Sequence, residues 1–144
     1  MTLYLDTSSA IKLYVLEAGS DVVHELVRDA AVVATSAITY AETRAALARL
    51  RRERALTIRK FIAAKREFEE QWPSFMTFDA TNALCRMAGE LAERYRLRGF
   101  DSVHLATFAE VARRAGPRET RFSSFDDRLN QAAQTLARRL ERES

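Results

Sequence analysis

Short apolar runs alternate with amphipathic stretches along the whole chain. Runs rich in β-forming residues predict strands at 2–5, 31–35, 74–78 and 120–124. Between them, apolar residues recur every three or four positions, as in Val22, Val23, Leu26 and Val27, which is the spacing of one helix face. Strands that alternate with helices in this way predict an α/β domain with a parallel sheet covered on both faces.

Glycine, proline and serine mark the expected ends of the helices. Ser8 or Ser9 is expected to cap the first helix, and Ser20 the second. Two consecutive helices are predicted between the second and third strands, and Pro73 ends the second of them. Gly99 precedes a helix that Asp101 is expected to open. Because no linker or internal repeat interrupts the pattern, we expect one domain over residues 1–144.

Composition narrows the class of protein. The chain has 144 residues, of which 47% are hydrophobic and 30% charged, as is ordinary for a soluble protein. Cys85 is the only cysteine, which excludes an intramolecular disulfide and a zinc site with several cysteines, and it is expected to fill a core position. No signal peptide or membrane-spanning stretch is evident, so we expect a cytoplasmic protein without membrane contact.

Several acidic residues lie next to the predicted ends of strands and starts of helices, where a parallel α/β fold usually binds its ligand. Asp6 follows the first strand, the pair Asp126-Asp127 follows the last, and Asp101 lies at a helix start. Glu42 lies in a helix among apolar neighbours, which an unpartnered carboxylate normally avoids. Because ligands bind at the carboxyl edge of parallel sheets, these acids are expected to converge there.

Each acid also has a purely structural interpretation. Asp6, Asp101 and Asp126 are suited to capping helices, and Glu42 to pairing with an arginine such as Arg44. Four converging carboxylates, however, repel one another unless a cation lies among them. Oxygen ligands without cysteines favour Mg²⁺ or Mn²⁺ over zinc, and such an ion activates water for phosphodiester hydrolysis.

Four segments of the chain together resemble one known family. They occur in the family's order and are Leu5–Ser9, Ile38–Glu42, Leu97–Ala106 and Ser124–Leu129. Over essentially its whole length the chain resembles the PIN-domain family, and within it the VapC-type toxin ribonucleases of toxin–antitoxin pairs. The resemblance implies a PIN-like three-layer fold with a short parallel sheet and a protruding helical pair.

The resemblance also implies an activity and a set of residues. It implies an Mg²⁺- or Mn²⁺-dependent endoribonuclease that cuts RNA to leave a 5′-phosphate. By position, Asp6 and Asp101 match direct metal ligands, whereas Glu42 and Asp126 match ligands of a second ion or ligands that act through water. Asp126 is favoured over its neighbour because of its spacing to Leu129.

Supporting residues and partners follow from the same resemblance. Ser8 and Ser124 match small hydroxyl positions beside the first and the fourth acid. The family implies a homodimer and a cognate antitoxin whose tail occupies the acidic groove. The chain extends its C-terminus as a polar, helix-like segment where many relatives add an apolar strand.

Several other features have two interpretations. Arg51 and Arg52 belong to a basic stretch that either contacts RNA phosphates or forms a solvated helix face. His104, one turn after Asp101, either ligates Mn²⁺ or packs within its helix. The aromatic residues of the helical pair either stack on bases or, as we expect, fill a core or a dimer interface: Phe61, Phe68 and Trp72.

The sequence thus predicts the metal-dependent ribonuclease toxin of a type II toxin–antitoxin system, acting through metal-activated water. One alternative is a small-molecule phosphatase with Asp6 as nucleophile, although Ser8 stands where that pattern wants a second aspartate. Another is a non-catalytic, Mg²⁺-binding RNA-binding or regulatory module. The net charge of +3 is a mild basic excess that suits a polyanionic partner.

Overall fold

Four parallel strands form a single sheet in the order β3-β2-β1-β4. The structure is a computed structural model that describes residues 1–144. The strands are β1 (Thr2–Leu5), β2 (Val32–Ser36), β3 (Met76–Phe78) and β4 (Thr120–Ser123). Each overlaps a predicted strand, and the boundaries differ by no more than two residues. The α/β prediction is confirmed.

Seven helices connect the strands and cover the sheet. They are α1 (Thr7–Ala10), α2 (Ser20–Asp29), α3 (Ile38–Arg52), α4 (Ile58–Gln71), α5 (Asn82–Tyr95), α6 (Gly99–Ala115) and α7 (Asp127–Glu143). Short 3-10 turns occupy Ile11–Leu13, Trp72–Ser74 and Pro117–Glu119. No helix combines the length and the apolar composition that crossing a bilayer requires.

Side chains of β1 alternate between two cores, one on each face of the sheet. Tyr4 packs with Leu105, Leu129 and other residues of the core beneath α5, α6 and α7. Leu3 and Leu5 point to the opposite face, into the core that includes residues of α1 and α2. Helices on both faces of a parallel sheet make the predicted three-layer arrangement.

Helices α3 and α4 form the expected helical pair. Leu47 of α3 and Ala64 of α4 share a small core. Phe68 is fully buried, and its ring lies 5.5 Å from that of Trp72 and from that of Tyr40. Phe68 and Trp72 therefore fill a core, as expected, and their rings pack against other rings of the protein.

Strand register brings the ends of three strands to one edge. Leu5 of β1 pairs with Ser123 of β4, and Tyr4 pairs with Ala34 of β2. The residues that follow β1 and β4 are therefore neighbours, as the backbone bond from Asp6 N to Ser123 O (3.1 Å) shows. This edge carries the candidate site.

Some local predictions were wrong. Neither Ser8 nor Ser9 caps α1, because Asp6 is the cap and its carboxylate accepts from Ser9 N at 3.0 Å. Cys85 is exposed rather than buried, because the apolar face of α5 is formed by positions 84, 88 and 91 and residue 85 points away from it. Helix α6 begins at Gly99, so Asp101 lies within its first turn and does not cap it.

Candidate active site

Asp6 is a buried carboxylate at the end of β1. Its side chain accepts hydrogen bonds from Ser8 Oγ (2.7 Å), Ser124 Oγ (2.6 Å) and Ser9 N (3.0 Å), and the residue is only 4% exposed. Burial raises the pKa of Asp6, and the hydrogen bonds from the two serine hydroxyls oppose that rise. Both hydroxyls thus lie beside Asp6; the sequence had matched Ser8 to a position beside this acid and Ser124 to one beside the fourth acid.

Glu42 projects from α3 toward α1 and α6. Its Oε1 lies 2.9 Å from His104 Nε2 and accepts a hydrogen bond from Thr7 Oγ1 at 2.5 Å. Burial alone would raise the pKa of Glu42, but the hydrogen bonds from His104 and Thr7 outweigh it and lower the pKa. The side chain is therefore an ionised carboxylate held in one orientation.

His104 connects that carboxylate to the core of the sheet. Its Nδ1 lies 2.8 Å from the hydroxyl of Tyr4, and the residue is 2% exposed. Burial raises the pKa of Tyr4 well above its usual value, so its hydroxyl keeps its proton. Nδ1 thus faces the Tyr4 hydroxyl and Nε2 faces the Glu42 carboxylate. Both ring nitrogens are then occupied, which leaves neither free for a metal ion.

Asp101 lies beside Glu42 on one cavity. The cavity measures about 590 Å³, and its other lining residues belong to the first five residues of α6 or precede them: Arg98, Gly99, Phe100 and Val103. The Asp101 carboxylate lies 3.4 Å from Arg98 Nε and its side chain is 25% exposed. Two of the four predicted acids thus face the same solvent-accessible space.

Asp126 has a clear structural role. It is the N-cap of α7, where its carboxylate accepts from Leu129 N at 2.8 Å. Its backbone N donates to Ser124 Oγ at 3.0 Å, and the same hydroxyl donates to Asp6. Asp127, in contrast, is exposed. The structure therefore connects Asp126, and not Asp127, to the first acid.

The four acids do not form one compact cluster of ligands. No group of three or more aspartate, glutamate, histidine or cysteine side chains lies close enough to hold a single metal ion. Glu42 and Asp101 line one cavity, whereas Ser124 Oγ donates to the Asp6 carboxylate and accepts from the backbone N of Asp126. The carboxylates of Asp6 and Asp126 each accept hydrogen bonds from hydroxyl or backbone donors, which favour the charged form.

The basic residues named from the sequence lie farther from the acids. Arg51 Nη1 donates to Leu56 O at 3.1 Å and thereby braces the turn after α3, whereas Arg52 is exposed. With a rise of 1.5 Å per residue, both lie roughly 14 Å along α3 from Glu42. Arg98 is the cation at the cavity, and sequence reasoning missed it although it stands three residues before Asp101 in the segment Leu97–Ala106.

The PIN domain family model matches residues 3–135. The chain belongs to the PIN domain family. Ribonuclease VapC45 of Mycobacterium tuberculosis strain CDC 1551 / Oshkosh is 35% identical to this PIN domain over 108 residues, which is 75% of each chain. Ribonuclease VapC49 of strain H37Rv shows the same identity of 35% over 108 residues and 75% of each chain. The resemblance recognised in the sequence is confirmed.

Solved structures support the fold of this PIN domain. The crystal structure of VapC20 from Mycobacterium tuberculosis, described as a sarcin–ricin loop cleaving toxin, superposes with a TM-score of 0.64. The match covers 90% of this chain and 94% of that chain, at 22% sequence identity. At 22% sequence identity, this similarity is evidence for a shared fold only.

Proposed function

We propose that this PIN domain is a metal-dependent endoribonuclease that hydrolyses RNA phosphodiesters and is the toxin of a type II toxin–antitoxin pair. One observation carries the proposal: Glu42 and Asp101 line the same cavity, and Glu42 accepts a hydrogen bond from Thr7, the residue that follows the buried Asp6. The 35% identity to two VapC ribonucleases supports the same activity.

The donor set fits a hard divalent cation. It consists of carboxylate and hydroxyl oxygens, which Mg²⁺ and Mn²⁺ prefer, and Mg²⁺ commonly needs only one or two carboxylates because it keeps several waters. A buried carboxylate such as Asp6 is costly in free energy unless a positive charge compensates it. From the positions that match the family's acids, we propose Asp6 and Asp101 as direct ligands, with Glu42 and Asp126 binding a second ion or acting through water.

The protein's own side chains prepare the site for an anionic substrate. When bound, a divalent ion would lower the pKa of a coordinated water and offset charge on the phosphate. His104 and Thr7 keep Glu42 ionised and fixed, and Ser8 and Ser124 orient Asp6. Arg98 places a positive charge on the cavity where a phosphate would enter.

The proposal includes two partners. We propose that the single domain of residues 1–144 forms a homodimer and binds a cognate antitoxin, whose tail occupies the acidic groove. Ile58 and Ile62 support a protein partner, since they expose 61% and 48% of their surface on one side of α4. Light scattering of the purified chain tests the dimer, and co-expression with the gene beside its own tests the antitoxin.

A cleavage assay tests the activity. We expect the purified protein to cut RNA with Mg²⁺ or Mn²⁺ and to lose activity in EDTA, and we expect Asp101→Asn or Asp6→Asn to abolish cleavage. Asp21→Asn, an exposed acid on α2, is the matched control and should remain active. Undiminished cleavage in EDTA or by Asp101→Asn would refute the proposal. Phosphate release from a simple phosphomonoester, or RNA bound but left intact, would favour the alternative functions.

A further inference from the structure

Two phenylalanines are the only exposed aromatic residues of the chain. Of eight phenylalanines, Phe100 is 66% exposed and Phe125 is 45% exposed, while the others, the four tyrosines and the single tryptophan are buried or half-buried. Each of the two directly precedes a proposed acid, Asp101 or Asp126. Exposed aromatic surface confined to two positions, both next to the site, indicates a role in binding.

The two rings line different cavities, one with Glu42 and Asp101 and the other with Thr7 and Ser8. Phe100 lies with Arg98 on the cavity that Glu42 and Asp101 share. Phe125 lies with Lys12 and Arg49 on a second cavity of about 330 Å³. That second cavity is also lined by Thr7 and Ser8, whose hydroxyls bond Glu42 and Asp6. Each cavity therefore offers one aromatic ring and at least one cation.

Phe125 is held in place by its surroundings. The ammonium of Lys12 lies 4.5 Å from the ring centroid, and the backbone N of Phe125 donates to Ser8 Oγ at 2.9 Å. A Cβ atom at Gly19 would lie 2.6 Å from Cε1 of the ring, so the ring fills the space that the missing side chain leaves. A ring fixed before binding loses little conformational entropy when a ligand packs on it.

We propose that Phe100 and Phe125 each stack on an unpaired base of the RNA, one on either side of the cleaved phosphate, while Arg98 and Arg49 contact adjoining phosphates. Both arginine side chains are available, being 85% and 64% exposed. A base within a duplex cannot offer its face to a side chain, whereas an unstacked base can. The inference rests on the proposed function and specifies its substrate as RNA that is unpaired at the cleavage site.

Binding to uncleaved RNA tests the role of the rings. In an Asp101→Asn background, a fluorescent single-stranded oligonucleotide reports its dissociation constant by anisotropy. Phe100→Ala and Phe125→Ala should each weaken binding by about 5- to 100-fold, the range expected for loss of one base–aromatic stack. Leucine at either position should bind as poorly as alanine, and tryptophan should restore binding. Val22→Ala, which alters another half-exposed apolar residue, should have no effect.

Oligonucleotides with one abasic nucleotide identify the partner of each ring. Removing the base that stacks on Phe100 should cancel the effect of Phe100→Ala but not that of Phe125→Ala, and a different nucleotide should do the converse. Leucine variants that bind RNA like the wild-type protein would overturn the proposal. It would also be overturned if no abasic position cancelled the effect of either alanine substitution. A Phe100→Ala variant that dissociates into monomers with unchanged RNA affinity would overturn it as well, since that result would show a subunit contact. If the wild-type protein left RNA intact, the proposed ribonuclease activity would be refuted. The binding measurements would still show whether the two rings stack on bases.

Discussion

His104 Nε2 lies 2.9 Å from Glu42 Oε1, although 62 positions separate the two residues in the sequence. The bond joins α6 to α3, the two helices that carry Asp101 and Glu42. Nδ1 of the same imidazole lies within hydrogen-bond distance of the Tyr4 hydroxyl on β1. One buried histidine therefore fixes the carboxylate of α3 relative to the sheet and to α6.

His104→Ala should lower both activity and stability. A hydrogen bond to a charged group contributes about 1.5–3 kcal/mol, and loss of a residue that orients a metal ligand typically costs about 10- to 100-fold in affinity or activity. We expect kcat to fall by that factor and the affinity for Mn²⁺, measured by calorimetry, to fall with it. Thermal unfolding measures the accompanying loss of stability.

Tyr4→Phe provides the matched control for His104→Ala. It removes only the hydroxyl that bonds Nδ1 and leaves the bond between His104 and Glu42 available. Its effect on kcat should be the smaller of the two. Equal activity of His104→Ala and the wild-type protein would show that the orientation of Glu42 does not matter.

The sequence predicted the elements better than it predicted the contacts between them. Runs of β-formers marked the strands, and a strand's end in a parallel sheet is enough to place Asp6 and Asp126 at one edge. The bond between His104 and Glu42 depends on how α3 and α6 are rotated about their axes, which local spacing does not encode. Cys85 was misplaced for a related reason, since apolar neighbours in sequence do not determine the face of a helix.

Asp6→Asn should stabilise the fold at neutral pH. Because burial raises the pKa of Asp6, the folded chain binds this proton more tightly than the unfolded chain does. The free energy of unfolding therefore falls as the pH rises from the ordinary value of 3.8 through the raised pKa. Each pKa unit of elevation corresponds to about 1.4 kcal/mol. Asparagine cannot ionise and avoids this loss.

Thermal melts between pH 4 and 8 in EDTA check the prediction for Asp6. The variant should melt above the wild-type protein at neutral pH, and the difference should shrink as the pH is lowered through the raised pKa of Asp6. Asp21→Asn, at an exposed position, should show no such convergence. A variant that is less stable than wild type at pH 7 would contradict the burial argument.

Two substitutions at Asp126 separate its capping role from its charge. Asn caps helices about as well as Asp, whereas Ala does not, so Asp126→Ala should lower the free energy of unfolding by about 1 kcal/mol and Asp126→Asn by much less. If the carboxylate takes part in catalysis, both variants should lose cleavage activity. Asp127→Asn should retain activity, since that side chain is exposed and unconnected to Ser124. Loss of cleavage in Asp127→Asn alone would reassign the fourth acid.

Two glycine-to-alanine substitutions should change stability in opposite directions. Gly19 has a φ of +92°, and a Cβ there would lie 2.6 Å from the ring of Phe125, so Gly19→Ala should destabilise the fold by more than about 1 kcal/mol. Gly89 lies within α5 with no atom within 4 Å of an added Cβ, so Gly89→Ala should stabilise it by about 0.5–1 kcal/mol. Urea denaturation measures both, and a stabilised Gly19→Ala variant would contradict the packing around Phe125.

The salt dependence of RNA binding should distinguish Arg98, which lines the cavity, from Arg52, which lies at the end of α3. Each phosphate contact to single-stranded RNA contributes about 0.7 to the slope of log K against log salt concentration. Arg98→Ala should lower the slope by that amount for any RNA that fills the cavity. Arg52→Ala should lower it only for RNA long enough to reach the end of α3, roughly 15 Å from Glu42 along the helix.

Arg52 is the informative position for that comparison because it is exposed, whereas Arg51 also braces Leu56 and its loss would loosen the turn. Arg138→Ala, an exposed arginine on α7, controls for the change in net charge and should leave the slope unaltered. An unchanged slope for Arg52→Ala with long RNA would mean that the basic end of α3 is a solvated surface.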